Sequence, residues 1–220
     1  DNERLMINQL LQQGQLQLAY EKAQQLLQKA QTSGSNAYNG AAYDLAMATN
    51  LLGRVLKDMY QSNLALELFI QAQKLFEALE KGGEPCKRMI SITLSRQASC
   101  LTALGHLDEA AKVYEQVIEH HKQREDFRCL AVDKGELATV YMEQGKYIEA
   151  ISGYEEVRTI FEHLNEPGMV STAWERLGKA YERTEKYEQS ETAYRQALKI
   201  RTHINNQEGQ ASIMNDLGNL

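Results

Sequence analysis

Three groups of residues in this 220-residue chain have types that could do chemistry. The first is His120-His121, in the run EHHKQRED. Imidazoles bind metals and move protons. Neighbours on a helix point about 100° apart, however, so these two cannot close on one ion together. A solvated helix end is expected instead, where cations meet the negative end of the helix dipole. His163 and His203 lie 40 residues apart and carry the same expectation, while His106 falls in a turn. The second group is the thiols Cys86, Cys100 and Cys129. Their number is odd and no CxxC pair occurs, so they read as reduced intracellular thiols, with Cys100 in a core and the protein cytoplasmic. The third is Arg54 and Lys57, one helical turn apart and able to grip a carboxylate.

Other chemistry has no signal. No GxxxxGK[ST] phosphate loop is present, and no Ser/His/Asp or Cys/His set repeats as a triad would. Pairs such as Glu155-Glu156 read as helix-surface charge. The expectation is therefore a chain that is not an enzyme, with no catalytic, cofactor or metal site. A net charge of −6 without long charge runs argues against nucleic acid, which needs a basic patch. No run of about 18 apolar residues exists to span a membrane. The start at Asp1 and the end within MNDLGNL lead us to expect a piece of a longer protein.

Composition favours helix. Hydrophobic residues make up 43%, there are two prolines, and Ala, Leu, Gln, Glu and Lys dominate. The pattern also repeats. A large-then-small pair recurs at Leu52-Gly53, Gln97-Ala98, Leu137-Ala138, Leu177-Gly178 and Leu217-Gly218, at intervals of 45, 40, 40 and 40. A turn position follows at Gly14, Tyr60, Gly105, Gly145 and Glu185. Next come Ala19, Ala65, Ala110, Ala150 and Ser190, then Ala23, Phe69, Tyr114, Tyr154 and Tyr194. Each copy holds two amphipathic stripes. Trp174, Leu177, Gly178 and Tyr181 form one, and Tyr187, Ser190, Tyr194, Ala197 and Ile200 form the next. Gly105 and Gly145 should end first helices with positive φ. Pro167 should open one at its first turn, and Pro85 could do the same. The tyrosines on these stripes are expected in the core.

Helix pairs are expected near 3–32, 40–81, 86–123 and 127–164, and at 167–184 with 187–204. A sixth opens at 207–220. Loops are expected at 32–40 and 80–85. One pair cannot bury its apolar stripe alone, so neighbours must stack. Gly178, Ala138 and Ala98 should let helices approach closely. The last helix should leave Ile213, Met214 and Leu217 open, which would allow a homodimer through it.

The run Trp174-x-x-Leu177-Gly178-x-x-Tyr181, with Ala150-x-x-x-Tyr154, resembles the tetratricopeptide repeat signature. The resemblance covers about residues 3–220. The 40-residue period is similar to arrays in spindle-orientation adaptors, kinesin light chains and bacterial signalling proteins. The "LGN" at Leu217–Asn219 and "LGR" at Leu52–Arg54 are similar to the adaptor group. The late proline of the signature is absent, and Ser190 stands where Ala is usual. The resemblance implies an all-α, right-handed superhelical solenoid of stacked antiparallel helix pairs.

It also implies a concave lining, carried by one flank of the first helices. That flank gives three rows. One is Arg54, Ser99, Thr139, Lys179, Asn219. The next is Asn50, Ser95, Gly135, Glu175, Asn215. The third is Lys57, Thr102, Met142, Glu182. They hold almost no large apolar side chain, which suits the backbone of an extended peptide. The implied function is a scaffold binding a partner protein or peptide in that groove. Two alternatives remain: a ligand-sensing or autoinhibitory region of a larger signalling ATPase or protease, and a peptide-regulated phosphatase-type regulator.

Overall fold

The computed structural model describes residues 2–34 and 40–220, so most of the loop expected at 32–40 lies outside the described residues. Among the described residues there are eleven helices and no strand. They are α1 (Asn2–Gln12), α2 (Leu16–Ser33), α3 (Ala41–Asp58), α4 (Ser62–Lys81), α5 (Lys87–Ala103), α6 (Leu107–Gln123), α7 (Phe127–Glu143), α8 (Tyr147–His163), α9 (Pro167–Arg183), α10 (Tyr187–His203) and α11 (Gln207–Gly218). No described helix is long and apolar enough to cross a membrane.

The turns repeat one device. Gly14, Gly105 and Gly145 have positive φ, and so do the two non-glycine residues at the same repeat position, Tyr60 and Glu185. The residue after each donates its N–H back five positions, as Lys146 does to the Tyr141 carbonyl (2.8 Å) and Gln61 to Leu56 (2.9 Å). This closes the helix end with a Schellman bond and turns the chain into the second helix. Pro167 is at the first helical position of α9, as expected. Pro85 corrects the reading: it precedes Cys86, the N-cap of α5, and lies outside the helix.

The chain forms two compact units, Asp1–Val113 and Tyr114–Leu220, with the boundary inside α6. In the first, α3 packs against α2 and α4. Its core holds Ile7, Leu10, Leu52, Val55, Phe69 and Cys100. A satellite of Ala46, Ala72, Phe76 and Cys86 carries the edge-on Tyr43–Phe76 pair. In the second, α7 to α11 pack each against the next. Tyr154, Leu177 and Ala193 share one cluster, and Phe161, Val170 and Ala173 another.

Three expectations about apolar faces change. Ile213 is fully buried against Tyr194 and Ala197, because α11 docks on α10. Of the three residues expected open, Met214 is exposed and Leu217 half-buried. Tyr187, expected on the apolar stripe of α10, is 54% exposed, since it is the first residue of the helix.

Candidate partner-binding site

In the second unit, Thr139, Met142, Glu175 and Lys179 of the expected rows line one cleft of about 640 Å³. Two arginines that the rows did not include build its walls, Arg176 and Arg201. Arg176 reaches from α9 to α7. It donates to the Gly135 carbonyl (3.1 Å) and Thr139 Oγ1 (3.0 Å), and pairs with Glu136 (3.2 Å). Its guanidinium also lies over the Tyr154 ring. Arg201 reaches from α10, donating to Ser171 Oγ (2.9 Å) and pairing with Glu175 (3.1 Å). Lys179 bridges Glu175 (2.9 Å) and Asp216 (3.4 Å). Burial works against its charge, yet the hydrogen bonds and fields of Glu175 and Asp216 outweigh that and hold its pKa above the ordinary value. Each of the three cations lining the cleft has a carboxylate in contact.

The first unit differs. Asn50, expected on the open face, is buried at 2% exposure. Its amide donates to Thr93 Oγ1 (2.7 Å), and its carbonyl accepts from Arg96. Arg96 is thereby held on α5 over the Phe69 ring. Its pKa is pushed down to about 10, first by burial and then by repulsion from Arg54, with Asp58 opposing. Arg54 donates to Asn8 (2.8 Å). Among the described residues, no carboxylate lies within ion-pair distance of Arg54, Lys57 or Arg96. Positive charge is concentrated here without a counter-charge in contact.

The remaining row members are placed as follows. Ser95 donates to the Ser91 carbonyl and Thr102 to that of Ala98, and Ser99 is half-buried. Gly135 is buried, and Glu182 is exposed and accepts from Tyr194 Oη. Asn215 and Asn219 are exposed on α11 and just beyond it, outside the cleft lining.

One histidine corrects the reading. His121 is buried at 2% exposure rather than solvated, and its Nε2 lies 3.1 Å from Asp133 Oδ2. His163 is exposed at its helix end, as expected. Helix-end reasoning missed His121, but the repeat register carried a signal. His121 and Arg201 occupy the position that Phe76 and Phe161 fill elsewhere, and a polar residue at a core position has to be explained. Arg176 left a signal too: it stands 40 residues from the opposite charge of Glu136, the spacing that brings equivalent positions together.

Antiparallel helix pairs repeating at a 40-residue interval, with a polar flank on the first helix of each, define a helical repeat protein. Tetratricopeptide repeat models match residues 93–126 and 126–203, together half of the chain. The chain belongs to the tetratricopeptide repeat family. A comparison with curated protein sequences returns no match. Similar solved structures include the nearly identical repeats of a Podosopora anserina kinesin light chain (18% identity, 93% of this chain and 96% of that one, TM-score 0.73). A second is a signal-transduction ATPase with a tetratricopeptide repeat sensor from Pyrococcus horikoshii (16%, 96% and 31%, 0.79). A third is the Rap conjugation gene regulator of plasmid pLS20 in complex with the Phr* peptide (13%, 96% and 55%, 0.75). These likenesses show the fold.

Proposed function

We propose that the chain is a protein-interaction scaffold, and that its first unit seats a carboxylate of an extended partner peptide on Arg54, Lys57 and Arg96. The observation that carries this reading is a cation cluster with no carboxylate at ion-pair distance. The cleft cations of the second unit each have a carboxylate in contact, whereas these three have none. An incoming carboxylate would relieve the Arg54–Arg96 repulsion and gain charge-assisted hydrogen bonds. Asn50 then acts by positioning Arg96 rather than by touching the partner. Within the first unit, Ser95 and Ser99 offer hydrogen bonds to the peptide backbone; taken by itself, the second unit offers Thr139, Glu175 and Lys179 in its cleft and the exposed Asn215 and Asn219 to a peptide of its own. The Rap regulator, a protein of similar fold, is in complex with a peptide, which supports a peptide as the occupant. A sensor region of a larger signalling protein would use the same cations.

Panning random phage-displayed peptides on the protein and on Arg54→Glu tests the reading. Acid-rich sequences should be enriched on the parent, and reversal should weaken them by tenfold or more, about 1.4 kcal/mol. Enrichment without acidic residues, or equal binding to both proteins, would remove it.

A further inference from the structure

We infer that the junction between α6 and α7 is a binding site for a divalent transition metal of the zinc class, with His121, Asp126 and Cys129 as ligands. A ring nitrogen of His121, a carboxylate oxygen of Asp126 and the Cys129 sulfur lie within 4.8 Å of one another. Local folding puts them there. His121 lies in the last turn of α6, and Asp126 is the N-cap of α7, accepting the Cys129 N–H at 3.2 Å. That cap places carboxylate and thiol on the same turn.

The histidine is the second, independent observation. It is 2% exposed, and its Nδ1 has no hydrogen-bond partner. Its Nε2 lies 3.1 Å from Asp133 Oδ2, so in the neutral tautomer that donates to this carboxylate the lone pair is on Nδ1. A carboxylate fixing the far nitrogen of an imidazole is the arrangement that orients metal-binding histidines. The repeat register points the same way. Where Phe76 and Phe161 plug this position with an apolar ring, this junction substitutes a histidine and supplies a buried aspartate, Asp133, to hold it.

The donor set selects the ion. One neutral nitrogen, one carboxylate and one thiolate neutralise a divalent charge, and mixed N/O/S donors suit zinc better than the hard cations. Tetrahedral zinc sites space their donors by roughly 3.5 Å, within reach of the 4.8 Å limit by χ rotation of Asp126 and Cys129. The fourth position falls to water or to a donor from outside. Binding deprotonates the thiol and releases its proton.

Titration of the reduced protein with Co²⁺ and Zn²⁺ tests the site. Co²⁺ should give tetrahedral d–d bands and a thiolate charge-transfer band, which one equivalent of Zn²⁺ abolishes. Both should vanish in Cys129→Ser and in His121→Phe, the latter restoring the ring found at the equivalent position. Cys86→Ala should keep them. A thermal melt should rise with Zn²⁺ in the parent and in Cys86→Ala alone. Octahedral spectra, or bands that survive both ligand changes in folded variants, would overturn the assignment.

Discussion

The ring of Tyr194 lies so close to Gly178 that a Cβ on the glycine would come within 2.7 Å of it. Tyr194 cannot retreat easily: it is 1% exposed and its hydroxyl reaches Glu182. The first unit repeats the relationship between Gly53 and Phe69, at 2.9 Å. Ser190 adds a bond from its Oγ to the Gly178 carbonyl (2.8 Å). Gly178→Ala should therefore destabilise. Overpacking costs about 1–3 kcal/mol, against about 1 kcal/mol gained in helix propensity, for a net loss of up to about 2 kcal/mol. Gly135→Ala is the contrast, because its nearest neighbour would sit at 3.6 Å, and it should gain up to about 1 kcal/mol. Urea denaturation of both variants checks the pair, and equal effects would refute the packing account.

Tyr60 and Glu185 occupy left-handed turn positions at φ 60° and 59°. A side chain there costs about 1–2 kcal/mol, of which glycine recovers part after its own entropy loss. Tyr60→Gly and Glu185→Gly should each stabilise by about 0.5–1 kcal/mol. Tyr60 loses little packing in the exchange, being 93% exposed. Lower urea midpoints for both would contradict this.

The helices were legible because one period runs through turn, small and aromatic positions alike. The outer limits of every helix pair fall within two residues of where the pattern predicts. A stripe identifies a face, but it does not say what covers that face. Ile213 was expected bare, yet packing against Tyr194 and Ala197, with Trp174 beside them, buries it. Asn50 fell on the polar flank by register, yet its short side chain is drawn inward to Thr93 and Arg96. Arg201 and His121 were hidden for the opposite reason: long or polar side chains at core positions find partners on the neighbouring helix, which only three-dimensional packing reveals.

Two of the three cations lining the cleft of the second unit should respond differently to removal. Arg201 and Glu175 are both nearly buried, with side chains 15% and 16% exposed. Arg201→Met would leave Glu175 dependent on Lys179 and should cost about 2–4 kcal/mol. Lys179 is 49% exposed, so Lys179→Met should cost about 1 kcal/mol or less. Gly209 belongs to the same arrangement, since a Cβ there would meet Arg201 Nη1 at 2.0 Å. Gly209→Ala should reproduce part of the Arg201 loss. Thermal melts of the three variants check the order, and a larger loss for Lys179→Met would reverse this account of the cleft.

Alkaline pH should weaken the second unit through its tyrosines. Burial, then the fields of Glu182 and Asp216, raise the Tyr194 pKa well above the ordinary phenol value. Tyr154 is raised chiefly by burial, and Tyr141 and Tyr181 by burial and then by hydrogen bonds to Glu115 and Glu155. Below pH of about 10 these phenols keep their protons in both folded and unfolded chains and have no pH effect. Above it the unfolded chain releases protons that the folded one retains, so stability falls as pH rises. Stability measured by urea at increasing pH should therefore drop beyond about pH 10. Tyr194→Phe should be less stable at neutral pH, having lost the bond to Glu182, but should show the shallower alkaline decline. An unchanged slope in that variant would assign the alkaline sensitivity to other groups.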